Sequence, residues 1–309
     1  MNGLIDPNVF QLLLVAFGVG IAVGLTGMGG GALMTPALVF LGVPPTAAVA
    51  NDLVSAALTK SVGAAVHLRN GSPNKQLVKW LVLGSVPMAL VGSFIVKALG
   101  ATPDQQHVLK LAIGCALLLT ASTYVVRMYL NLRSQTSGRP RTVQEPVLRP
   151  MPTVAIGALG GLLVGITSVG SGSLIMVSLL LLYPTMSSLR MVGTDLLQAI
   201  PLVVAAAIGH IIVTGVDWSV LIPLIIGGSI GTALGARMAS LVAQSVIRRG
   251  IVMILSLTGL GMLGVDSTWI GILGAGMVIL GPVAWGALRQ AHGMAPFDHF
   301  GSHDPHGDD

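Results

Sequence analysis

Two carboxylates stand in stretches that are otherwise apolar: Asp52 in "ANDLVSAALTK" (50–60) and Asp195 in "GTDLLQAI" (193–200). An ionised acid in such surroundings is expensive, so each has to be protonated, paired or bound to a cation. Asn51, Ser55 and Thr59 accompany Asp52, and spacings of three and seven put 52, 55 and 59 on one helical face. Thr194 and Gln198 accompany Asp195 in the same way. The chemistry open to the two acids is coupling to a proton or sodium ion, or the shaping of a binding site. The bland alternative is that each caps the start of a helix. Lys60, deeper in the first of these helices, either counters an anionic substrate or snorkels to the interface. His67 and His210 fall near helix ends, where interfacial hydrogen bonding competes with proton handling.

A second set of residues is backbone chemistry. "GLTGMGGGALMTP" (24–36) places Gly27, Gly29, Gly30 and Gly31 within five positions, with Thr26 and Thr35 beside them. "GITSVGSGSL" (165–174) carries Gly170 and Gly172 among Thr167, Ser168, Ser171 and Ser173. Opened backbone offers N–H groups, helix N-termini carry partial positive charge, and glycine lets a ligand approach the main chain. Such a site suits an anion. The competing use of these glycines is close packing of helices through small residues. A dinucleotide loop is excluded, because neither cluster follows a strand in a βαβ unit. An enzyme reading would take Ser171 or Ser173 as nucleophile and His210 as base. Against it, a matching first copy carries Gly30 and Ala32 at those two places.

The elements that must hold these residues are membrane helices. The 309 residues are 53% hydrophobic and only 9% charged, with a mean hydropathy of +0.86. Soluble domains carry about 25% charged residues. The net charge of +5 therefore says nothing about nucleic acid, and no cofactor motif is present. The single cysteine, Cys115, excludes a disulfide framework and reads as a small buried apolar residue. Met1 to Phe10 show no basic region or cleavage site of a signal peptide. The tail after 288, with His292, His299, His303 and His306, reads as a solvated extension rather than a metal site.

Apolar segments fall at 9–42, 46–68, 78–96, 108–130, 153–183, 188–213, 217–242, 247–264 and 268–288, with a polar, Pro- and Arg-rich linker at 131–152 expected to lack regular structure. Across that linker the chain repeats itself. Gly24, Thr26, Gly29, Gly31 and Leu33 match Gly165, Thr167, Gly170, Gly172 and Leu174; then Asp52 matches Asp195 and His67 matches His210. Each half reads as a glycine-broken segment and three further helices.

Charge placement decides how the broken segments run. If each crosses the membrane once, the Lys and Arg residues divide eight to seven. If each is a hairpin that turns at its glycines, thirteen fall on one face (Arg69, Lys75, Lys79, Arg127, Arg133, Arg139, Arg141, Arg149, Arg190, Arg237, Arg248, Arg249 and Arg289) and two, Lys97 and Lys110, on the other. Basic residues are retained on the cytoplasmic side, so the hairpin arrangement is expected. It makes the second half an inverted copy of the first, with both turns near the midplane, the architecture of many secondary transporters. The expected fold is all-α and polytopic: a first repeat (1–130), a cytoplasmic linker (131–152), an inverted second repeat (153–264), an additional helix (265–288) and a cytoplasmic tail (289–309).

The two broken motifs, "ANDLVSA", and the run "GTDLLQA…GH…GVDW…GTALGARMA" together resemble the sulfite exporter TauE/SafE family, from about residue 10 to 262. The resemblance implies a bacterial inner-membrane permease that moves sulfite or an organosulfonate, often outward; the charge placement puts the N-terminus on the periplasmic side. It maps the family's glycine motifs onto Gly27–Gly31 and Gly170–Ser173. Ser168 and Ser171, where the first copy has Gly27 and Gly30, depart from strict equivalence of the two hairpins. The partners implied are a small anion and the lipid bilayer; an anion channel is the alternative.

Overall fold

A computed structural model describes residues 7–26, 31–67, 73–99, 102–136, 147–238 and 244–291. Among the described residues there are eleven helices and no strand. In chain order these are α1 (Pro7–Thr26), α2 (Gly31–Phe40), α3 (Pro45–His67), α4 (Lys75–Leu99), α5 (Pro103–Thr136), α6 (Pro150–Thr167), α7 (Ser171–Leu182), α8 (Ser188–Val213), α9 (Trp218–Met238), α10 (Gln244–Met262) and α11 (Ser267–Ala291). Segments of α4, α5, α6, α8, α9 and α11 are long and apolar enough to cross a bilayer. The chain is a multi-pass membrane protein.

α2 has 10 residues and α7 has 12. At 1.5 Å per residue they span about 15 and 18 Å, short of the roughly 30 Å hydrocarbon core. α7 instead turns back along α6. At its end the Tyr183 hydroxyl accepts from the Arg149 amide at 3.0 Å and lies 2.6 Å from the Thr153 hydroxyl, at the start of α6. The segment from 150 to 183 thus begins and finishes at the same level. Its turn is made by Ser168 (φ +60°) and Gly170 (φ +101°), both left-handed.

Two parallel helix pairs hold the bundle. A Cβ on Gly20 or Gly24 of α1 would strike the backbone of α9 around Gly228 and Thr232, and one on Gly227, Gly231 or Gly235 would strike α1 at Leu13, Phe17 and Ile21. Residue numbers rise together, so the helices run parallel. α4 and α6 meet likewise, with Gly157, Gly161 and Gly165 against Leu81, Ser85 and Ala89. Only small residues allow backbones this close. α5 and α10 run antiparallel, Gly114 beside Met262 and Leu118 beside Gly259. α3 also packs on α8, and Asn74, one residue before α4, donates its amide to Thr194 near the start of α8. Exchanging α1–α5 with α6–α10 maps these pairings onto one another. Fully buried Leu53, Leu81, Leu117, Ile175, Leu179 and Leu202 fill one core common to both sets. α11 packs on α10 and exposes Trp269, Ile272, Val278, Ile279 and Val283.

Three expectations need correction. The polar linker is shorter than 131–152, because α5 continues to Thr136 and α6 already starts at Pro150. Cys115 is exposed rather than buried, since helical periodicity puts it on the outer face of α5 with Leu119 and Val126. Neither acid caps a helix: Asp52 lies within α3, and Ser187 rather than Asp195 caps α8. The histidine tail, 292–309, lies outside the described residues.

Candidate functional site

The polar residues of the bundle gather where the two helix breaks meet. Gly31, first residue of α2, abuts Ser168 so closely that a Cβ there would overlap the Ser168 carbonyl oxygen. Beside this contact sits Asp52, 2% exposed. Its Oδ2 accepts from Thr35 Oγ1 at 2.5 Å and from Ser168 Oγ at 2.9 Å. Three elements therefore converge on one carboxylate: α2, α3 and the turn between α6 and α7. Each matters for a reason legible in its chemistry. A buried carboxylate demands donors, and short hydroxyl side chains on a broken helix supply them with little entropy to lose.

Asp195, the other acid, is held differently. Its Oδ1 accepts from Gln198 Nε2 at 3.0 Å, one turn along its own helix, and Oδ2 faces Gly172 at the start of α7. Lys60 links the two acids, interacting electrostatically with both Asp52 and Asp195. Arg127, from α5, also acts on Asp195, whose charge bears in turn on the buried Tyr124. The charge count had placed Arg127 with the surface basic residues; its spacing of three from Tyr124 was the signal that the two share a face.

Most of the predicted donors are already engaged. Thr167 donates to Leu163 O at 2.7 Å and Asn51 Nδ2 to Ala47 O at 2.8 Å, both within their own helices. Thr194 donates to Arg190 O. Among the described residues, buried atoms without a hydrogen-bond partner include Asn51 Oδ1, Gln198 Oε1, Ser173 Oγ and His210 Nδ1, and unpaired buried polar atoms mark places where water or a ligand belongs. His210 Nε2 pairs with the Gly165 carbonyl at 2.8 Å. Ser173 and His210 are thus not paired as nucleophile and base. Of the remaining predictions, Gly27, Gly29 and Gly30 lie outside the described residues, as do the side chains of Thr26, His67 and Ser171.

A cavity of about 500 Å³ opens at the other end of α3, lined by Thr46, Ala47, Thr214, Asp217 and Trp218. Thr46 is six residues from Asp52, about 9 Å along the helix.

The family model described as "Sulfite exporter TauE/SafE" matches residues 12–262. The chain is 37% identical over 235 residues to "Probable membrane transporter protein YjnA" of Bacillus subtilis (strain 168), covering 74% of this chain and 89% of that protein. It is 29% identical to "Probable membrane transporter protein YdhB" of the same organism, over 82% and 99% of the two chains. A "Probable membrane transporter protein" of Xylella fastidiosa (strain 9a5c) is 29% identical, over 74% and 86%. No solved structure matches the chain.

Proposed function

The chain belongs to the sulfite exporter TauE/SafE family of membrane transporters, and on that premise we propose that it is a secondary transporter, run as an exporter, of a small sulfur-containing oxyanion, sulfite or an organosulfonate. The anion binds between the two helix breaks, near Gly31 and the 168–173 turn. Lys60 supplies positive charge, and the first amides of α7 with the unpartnered Ser173 hydroxyl supply donors. The two five-helix sets act as inverted repeats, and alternating access exposes the site first to one face and then to the other. The cycle is coupled to protons or sodium through Asp52 or Asp195. The protein sits in the bacterial inner membrane, N-terminus periplasmic, linker and tail cytoplasmic.

The observation that carries this reading is the meeting of Gly31 and Ser168 beside Asp52. Non-helical backbone at membrane depth is tolerated where it is buried in protein or lines a wet cavity, and here breaks from both halves of the chain share one polar locus. The test is flux of radiolabelled sulfite, and of sulfonates by competition, into proteoliposomes holding the purified full chain. Saturable flux at a conformational turnover rate supports the transporter. Flux far above that rate makes it a channel, and neither flux nor binding across a panel of small anions sinks both readings.

A further inference from the structure

The hydroxyls nearest the meeting of the two breaks do not face an open site; both point at Asp52. Thr35 is fully buried and Ser168 is 6% exposed. Each has one proton to donate, and while the carboxylate is ionised it holds both. Its negative charge also lies beside the turn where the anion would sit. An anion and an ionised Asp52 thus compete for the same two donors and repel one another.

Resting on the reading of this locus as the anion site, we infer that Asp52 carries the coupling proton: protonation releases one of the two hydroxyls, Thr35 or Ser168, to the anion, so one proton travels with each anion bound. The neutral acid donates its O–H to one of the two hydroxyl oxygens, and that hydroxyl turns its own proton toward the ligand. The proton comes from solvent, and no bond other than O–H forms or breaks. Asp195 is placed differently, because its hydrogen-bond donor is the Gln198 amide of its own helix rather than a hydroxyl at the meeting of the two breaks.

Few charged groups bear on Asp52. On its own helix there is Lys60. α2, α6 and α7 carry no titratable side chain. α8 brings Asp195, which shares Lys60 with it, along with Arg190 and with His210, bound to Gly165. α9 has Arg237 in its last turn, and α5 has Arg127, which acts on Asp195, and Tyr124 and Tyr129, with Asp104, His107 and Lys110 toward its start. For a monoanion such a cycle is electroneutral, so the membrane potential does not drive it, and export runs on an outward anion gradient steep enough to exceed any inward proton gradient.

The test is calorimetric titration of the full chain in detergent with methanesulfonate, an anion that does not itself titrate, over pH 5–9 in buffers of differing ionisation enthalpy. Where Asp52 is ionised, affinity should fall about tenfold per pH unit, with uptake approaching one proton per anion, because only the protonated fraction binds. Asp52→Asn should bind with pH-independent affinity and no uptake, while Asp195→Asn keeps the wild-type uptake. Wild-type binding without pH dependence, or uptake abolished by Asp195→Asn and retained in Asp52→Asn, overturns the inference and leaves the transporter reading standing. No binding of methanesulfonate, sulfite or other anions by the wild type removes that reading itself. If Asp52→Asn does not fold, Ser168→Gly serves instead. It takes one donor from the carboxylate and should move the fall in affinity to higher pH; an unmoved profile overturns the proposal.

Discussion

Ser168 is the residue on which local strain and the site meet. Its φ of +60° puts a side-chain-bearing residue in the left-handed region, at a cost of about 1–2 kcal/mol. What it contributes in exchange is the donor to Asp52. The two terms separate by substitution. Ser168→Ala keeps the strain and leaves the buried carboxylate short of a donor, for a loss of about 1–3 kcal/mol. Ser168→Gly loses the same donor but relieves the backbone, so it should unfold at a higher temperature than Ser168→Ala in detergent-solubilised protein. Thr35→Val should resemble Ser168→Ala, because Thr35 sits in regular helix with no strain to relieve. If the alanine variant proves the more stable of the two at 168, the hydroxyl is not what the strained turn is kept for.

At the scale of elements, glycines divide by task. Gly161 and Gly231 bring α6 onto α4 and α9 onto α1, where added carbon would meet backbone. Gly276 of α11 has open space around it. Gly161→Val or Gly231→Val should collapse the yield of monodisperse protein, while Gly276→Val leaves it within twofold, read by size-exclusion chromatography. The sequence shows the breaks, the paired acids and the helix count, because these follow from local composition and from the internal match. Gly24 and Gly165, leading members of the repeated motif, pack against α9 and α4 rather than open the backbone. A ridge of small residues announces that some helix comes close, but not which one. For the same reason the Thr35–Asp52–Ser168 cluster could be suspected only residue by residue: its members are 17 and 116 positions apart.

For the molecule as a whole, the charge asymmetry predicts an orientation that can be measured. Reporter fusions active only in the cytoplasm should give signal after residues 70, 140, 243 and 295 and none after 101 or 215. Signal at 101 or 215 would reverse the assignment of faces. Truncation after Leu263 should leave the other ten helices assembled, because α11 touches the bundle through α10.

The parallel pairings carry one more consequence. The first helix of each five-helix set lies against the fourth helix of the other, α1 on α9 and α6 on α4. Neither set completes its own interior. Any motion that turned one half as a block against the other would tear both glycine seams, so the mobile bodies must be composites drawn from both ends of the gene.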